Sequence, residues 1–458
     1  MKKILPILLI MLCILQWMPP AVQAVETGGC HTLQAGQALA GNGVYKGTAK
    51  AAILYELNTK TLVYAHNPDQ RINPTGLIKL LSALIVLEEG NLDDVVTVQR
   101  STLNSVSAGA VSAGLKAGEE ITLRDLLYCV MVSSANDASA VMAEHVAGSQ
   151  AAFVEKMNQR AATGGCGNTH FTNVHGLKDD KQYSTARDLA ILLEIALQNQ
   201  AFRDFFGVTE YTVPETNLSS ARTLSTTNYM MDADSKYYDS RVTGGKPAAA
   251  ATADRSMACV AQSEDAEYLC VIISAQARTS GSSVTRYTNF DEATSLLNLG
   301  FNGYRIQQVV NTQQPFGMYP VSGGENNVVV GTDGDLDALL PIDCDMTRLQ
   351  LVDYPDADAL RAPVAADSAV GRLEIYYDSI LIGEVSLLAR HNVAPLGSTI
   401  RVPQDDDGHQ RDLMMKIVLW GGISIVVLGG GFAVVRSARR RIRLARRRRM
   451  LARERRGN

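Results

Sequence analysis

Nowhere in this 458-residue chain does a serine stand three positions before a lysine. That spacing places a hydroxyl one helical turn from the amine that takes its proton, so its absence excludes the simplest serine–lysine acyl transfer. Cys-x-x-Cys pairs and histidine-rich runs are also missing, and neither a metal nor a cofactor is expected. There is no internal repeat, and low complexity is confined to the last residues. Positive charge is scarce outside that tail. Arg436 to Asn458 holds twelve arginines and one glutamate, leaving −15 on the rest of a chain whose net charge is −4. An acidic body with a basic tail argues against nucleic acid as a partner.

The two ends read as export and anchoring signals. Lys2 and Lys3 precede an apolar run from Ile4 to Leu15, and Val22-Gln23-Ala24 gives a small-residue cleavage site, so residues 1–24 are expected to be a signal peptide. Ile417 to Val435 is 19 residues without a charge, enough to span a bilayer. The arginines follow at once, which predicts a single-pass protein of the cell membrane with an extracellular body and a cytoplasmic tail. Six cysteines lie beyond the signal, and an even number in an exported chain permits disulfides. Cys259 and Cys270 are the best candidate pair, because a turn at Glu264-Asp265 would set them opposite each other on a hairpin.

Between the ends the pattern is α+β. Two β-rich runs flank Asn58-Thr59-Lys60 and predict a hairpin. A helix is expected over Asn73–Glu88, apolar all round and therefore buried, with Pro74 near its start. Ala108 to Glu120 reads as a small-residue loop, and Leu123 to Val146 as helix broken at Ser133-Ser134-Ala135-Asn136. Further helices are expected over Gln150–Ala162, Asp188–Gln198 and Asp291–Leu299, and apolar strands over Met257–Gln262 and Tyr268–Ala275. Strands at both ends with helices between them predict a sheet with a helical insert, residues 25–300. Short strands (VVVG, LQLVDY and GRLEIYYDSILIGEVSLLA) then suggest a β-sandwich domain over 301–394, with 395–416 as a linker to the membrane.

Chemistry gathers on the buried helix. Lys79 sits one turn in, where a lysine must find partners or lose its charge. PTGLIK at the helix start, SSANDASAVMAEHVAGS about 55 residues on and VTGGKPAAAATA about 110 beyond that occur in the order of three family motifs. With FVEKMNQRAA, NTHFTNVHGL and DSRVTGGK, the chain resembles the penicillin-binding D-alanyl-D-alanine carboxypeptidases of the peptidase S11 type over about Ala51 to Val393. Their marks are Ser-x-x-Lys, Ser-x-Asn and Lys-Thr-Gly. The resemblance implies a serine beta-lactamase/transpeptidase-like domain followed by the small β domain and a C-terminal transmembrane helix.

It also implies roles. Lys79 matches the proton-accepting lysine, Ser134 and Asn136 the proton relay and the amide that holds substrate, and Lys246 the cation that faces the substrate carboxylate. The departures lie in the same site. Gly76 stands where the nucleophilic serine belongs, and Pro247-Ala248 replace threonine and glycine. These expectations describe an inactive relative in peptidoglycan metabolism that binds stem peptides or a cell-wall protein. One alternative is a working carboxypeptidase with a substitute nucleophile or an activated water. Another is a structural or regulatory envelope protein acting through its β domain. His170 and His175 are expected to shape the fold.

Overall fold

The computed structural model describes residues 33, 37–40, 46–249, 254–264, 266–280, 283–312 and 315–397. The expected signal peptide, membrane span and arginine tail lie outside them. Among the described residues no helix is long and apolar enough to cross a membrane.

The fold is built on a five-stranded antiparallel sheet. Strands β1 (Ala51–Glu56) and β2 (Thr61–His66) form the expected hairpin, closed at Lys60, whose φ is +56°. The buried Glu56 carboxylate accepts from the Thr59 amide at 2.6 Å and hydroxyl at 2.7 Å, and from the Glu267 amide at 3.1 Å. Between this hairpin and the remaining strands run short β3 (Val95–Thr97), β4 (Glu120–Thr122), β5 (Glu210–Val213) and β6 (Arg222–Ser225). The sheet is completed by β7 (Val242–Ala249), β8 (Asp254–Ser263) and β9 (Ala266–Gln276), in the order β2-β1-β9-β8-β7.

Alternation along β1, β8 and β9 sends side chains to two separate cores. Ile53, Tyr55, Ala258, Val260, Val271 and Ile273 join the core of the helical insert. Leu54, Met257, Cys259, Cys270 and Ile272 face the other way, toward Phe290, Ala293, Leu296 and Leu297. Cys259 and Cys270 do stand opposite each other in the β8–β9 register, but as free, hydrogen-bonded thiols rather than a disulfide.

The helical insert centres on α1 (Lys79–Glu89), buried from Lys79 through Val86. The helix expected from Pro74 onward begins as a 3-10 turn, Thr75–Ile78, and becomes α-helical only at Lys79. Around it lie α2 (Arg100–Asn104), α3 (Leu123–Met131), α4 (Asn136–Ala147), α5 (Gln150–Thr163), α6 (Ala186–Leu197) and α7 (Gln200–Phe206). The break between α3 and α4 falls at the expected Ser-Ser-Ala-Asn, where Ser134 takes φ +61°. After a small hairpin of β10 (Arg278–Ser280) and β11 (Ser283–Arg286), α8 (Thr288–Gly303) covers the far face of the sheet.

Seven more strands follow: β12 (Tyr304–Val310), β13 (Gly317–Tyr319), β14 (Val328–Thr332), β15 (Leu336–Pro341), β16 (Leu349–Pro355), β17 (Ala369–Tyr377) and β18 (Ile380–Ala389). β12 pairs with β15, and the others form a sheet in the order β13-β14-β18-β17-β16. The two sheets share one core, in which Val310, Ala338 and Leu340 meet Val328, Val330, Leu373, Ile375 and Leu387. Asp378 and Ser379, both at positive φ, make the two-residue turn between β17 and β18.

Candidate functional site

A cavity of about 430 Å³ opens where the insert meets the edge strand β7. Gly76, Lys79, Ser134 and Asn136 line it together with Pro247 and Ala248. Residues separated by up to 172 positions therefore meet at one place, and each is positioned by a distinct local device.

Lys79 begins α1 and is 2% exposed. Its Nζ donates to Oδ1 of Asn136 at 2.7 Å. Burial brings its pKa down to about 7, opposed by the nearby charge of Asp137. Near neutral pH it therefore exists as a mixture of ammonium and free amine. Asn136 opens α4, and its Nδ2 donates to the Val111 carbonyl at 3.0 Å while its backbone amide bonds the same oxygen at 2.8 Å. These bonds orient the Asn136 oxygen toward Lys79.

Asp137, which the sequence reading did not single out, holds the loop that forms one wall. Its carboxylate accepts from the Ser112 hydroxyl at 2.6 Å and from the amides of Ala113 at 2.9 Å and Leu115 at 3.2 Å. Gly109, Ala110 and Val111, just before these contacts, line the cavity.

The backbone beneath Gly76 is strained. Thr75 takes φ +54°, a conformation costly for a β-branched side chain, and its Oγ1 is buried without a partner. Gly176 packs directly beneath; a Cβ there would fall 2.8 Å from the Gly76 nitrogen and nearer still to the Thr75 carbonyl. Gly76 itself has room. A Cβ built on it lies 3.4 Å from the Ala248 methyl, 3.7 Å from the Ser134 hydroxyl and 3.9 Å from Nζ of Lys79.

Lys246 is placed differently from the other site residues. It is buried, does not line the cavity, and donates to the carbonyls of Val130 at 2.8 Å and Met131 at 3.2 Å, at the end of α3. Burial first, and then the charge of Lys79, pushes its pKa well below the usual lysine value. His175 does line the cavity; its Nδ1 accepts from the Leu177 amide at 3.2 Å. Burial and the charge of Lys79 bring its pKa down to about 4, so the ring is neutral. Among the described residues no cluster of His, Cys, Asp and Glu is arranged to hold a metal ion.

A family profile described as D-alanyl-D-alanine carboxypeptidase, Peptidase S11, matches residues 20–277. The chain belongs to that family. D-alanyl-D-alanine carboxypeptidase DacF of Bacillus subtilis (strain 168) is 26% identical over 401 residues, 87% of this chain and 96% of the relative. D-alanyl-D-alanine carboxypeptidase DacD of Escherichia coli (strain K12) is 27% identical over 336 residues, 71% of this chain and 81% of the relative. Among solved structures, penicillin binding protein 5 from Haemophilus influenzae superposes with a TM-score of 0.62 at 24% identity, over 76% of this chain and 98% of that one. The carboxypeptidase DacD from Francisella tularensis gives 0.61 at 19% identity, over 80% and 99%. These structures share the α+β fold of penicillin-binding transpeptidase-like proteins. In this S11 member, glycine stands at position 76, three residues before Lys79, and Pro247-Ala248 follow Lys246 on β7.

Proposed function

We propose that this S11-family protein binds peptidoglycan stem peptides, or a cell-wall protein presenting similar chemistry, without forming an acyl-enzyme. One observation carries the reading. The cavity retains Lys79, Ser134 and Asn136, while the position next to them, Gly76, has no side chain to acylate. Removing the nucleophile from such a constellation leaves at most weak residual catalysis, whereas binding groups in the cleft persist. In this reading the signal peptide exports the chain, and Ile417–Val435 anchors it in the membrane with the body outside.

The test is the intact mass of the full-length chain in detergent after incubation with excess penicillin, beside a Gly76→Ser variant. An unmodified wild type with a penicillin adduct on the variant is the expected result. An adduct on wild type would reveal a nucleophile elsewhere and overturn the inactive reading.

The pKa of Lys79 favours a second reading, hydrolysis by a water that the free amine activates. Release of D-alanine from an acyl-D-Ala-D-Ala peptide by wild type, lost in Lys79→Met, would establish it.

A further inference from the structure

A second hollow, open and about 340 Å³ in volume, adjoins the cleft. Tyr229 and Tyr287 line both, so the two are continuous across those rings. The chain between β6 and β7 builds it through tight turns: the Met231 amide bonds the Asn228 carbonyl, that of Ser235 the Asp232 carbonyl, and that of Tyr238 the Ser235 carbonyl. Met230, fully buried in the core shared with α8, pins this segment. The Tyr237 hydroxyl accepts from the Tyr287 amide at 2.9 Å, which ties the segment to the residue preceding α8.

The rings hold one another. Tyr229 meets Tyr287 edge to face with centroids 5.3 Å apart, and Tyr237 lies 5.3 Å from Phe290 and 6.1 Å from Tyr287. Rings fixed in this way leave little for a ligand to order. With Tyr237, the hollow is lined by Asp232, Ser235, Lys236 and Thr285. This rim carries one charge of each sign and two hydroxyls, so neither an anion nor a cation is favoured as its occupant. An aromatic face ringed by donors and acceptors suits a neutral ring with an apolar C–H face and hydroxylated edges, which is the chemistry of a sugar. The volume lies at the low end for small-ligand pockets, about 300–1,000 Å³, and matches one or two such rings. Lys236 is exposed, and its Nζ lies 4.9 Å over the Tyr237 ring. A cation so exposed is held there weakly, and its long stem lets it swing aside.

We propose that this hollow is a saccharide subsite, taking a sugar ring of the peptidoglycan glycan strand against the face of Tyr237. Asp232 accepts from sugar hydroxyls, and Lys236, displaced from the ring, donates to a sugar oxygen. Continuity through Tyr229 and Tyr287 lets one peptidoglycan surface engage the hollow and the cleft together. This rests on the reading that the cleft binds stem peptides, and it extends recognition from the peptide to the glycan.

Calorimetric titration of the full-length chain in a sugar-free detergent tests it with two probes. Tri-N-acetylchitotriose carries sugar without peptide, and diacetyl-L-Lys-D-Ala-D-Ala carries peptide without sugar. Wild type should bind both. Tyr237→Ala and Asp232→Ala should each weaken the trisaccharide by about tenfold or more and leave the peptide affinity unchanged. Tyr237→Phe, which keeps the ring, should retain the trisaccharide, and melting curves check that each variant is folded. Unchanged trisaccharide affinity in folded Tyr237→Ala or Asp232→Ala would overturn the subsite. Tighter binding of N-acetyltryptophanamide than of the trisaccharide would overturn it in favour of a protein side chain. Peptide binding by a wild type that ignores the trisaccharide would overturn it and leave the stem-peptide reading standing. Failure of wild type to bind either probe would overturn both.

Discussion

Ala248 stands over Gly76: a Cβ built on Gly76 meets the Ala248 methyl at 3.4 Å, ordinary van der Waals contact, with Nζ of Lys79 at 3.9 Å. A side chain at Gly76 would thus touch Ala248, whose methyl borders the space above the glycine. Gly76 does not use the left-handed region, so a side chain there meets no backbone penalty. Gly76→Ser should therefore leave stability within about 0.5 kcal/mol of wild type. Its hydroxyl should acquire a penicillin adduct slowly, and Gly76→Ser with Ala248→Gly should acquire it faster. A time course of intact mass reads both rates; equal rates would show that the Ala248 methyl does not obstruct the site.

Gly176 is the opposite case. It sits at φ +82°, and a Cβ would collide with the backbone of Thr75 and Gly76. Gly176→Ala should cost about 1–3 kcal/mol or more, since both the conformation and the contact are lost. Urea unfolding checks the stability, and peptide titration checks the cleft. A variant as stable as wild type would show that the turn at Thr75 is not held from below.

The sequence was most informative where pattern and chemistry coincided. The apolar run from Leu77 to Leu87, the break at Ser133 to Asn136 and the opposed β8 and β9 all follow from local periodicity or turn residues. The β5–β6 hairpin was hidden because its two strands are only four residues each, too short to show a clear alternation, and their pairing is decided by tertiary contacts. The 3-10 start of the Pro74 segment was hidden too, because it depends on Gly176, a hundred positions away, lying under Thr75. Arg255, Asn289 and Asp137 belong to no spacing motif. Only the β7–β8 pairing and the seat of α8 bring the first two to the cavity.

Asp137 is the residue whose loss should open one wall. It accepts hydrogen bonds from Ser112, Ala113 and Leu115 and is 4% exposed. Asp137→Ala strands these donors, and each buried unsatisfied group costs about 1–3 kcal/mol unless water reaches it. The expected readout is faster amide hydrogen exchange over residues 109–115, with weaker peptide binding. Unchanged exchange in that segment would mean that the loop is held by other contacts.

Lys79 gives the chain a pH dependence whose sign can be worked out. Its folded pKa, about 7, lies below the ordinary lysine value of 10.5 because burial disfavours the charge. Below pH 7 the lysine is protonated whether the chain is folded or not, and the cost of burying the ammonium is present in full. Between pH 7 and 10.5 the unfolded chain binds the proton and the folded chain releases it, so stability rises with pH. The slope from this one group reaches at most about 1.4 kcal/mol per pH unit. Subtracting the stability of Lys79→Met at each pH removes the contribution of groups that do not feel the Lys79 charge, whereas His175 and Lys246 do feel it. The difference, wild type minus variant, should climb from about pH 7 to 9. A difference that stays flat to pH 9 would mean that Asn136 and Asp137 keep Lys79 charged, leaving no free amine to activate a water.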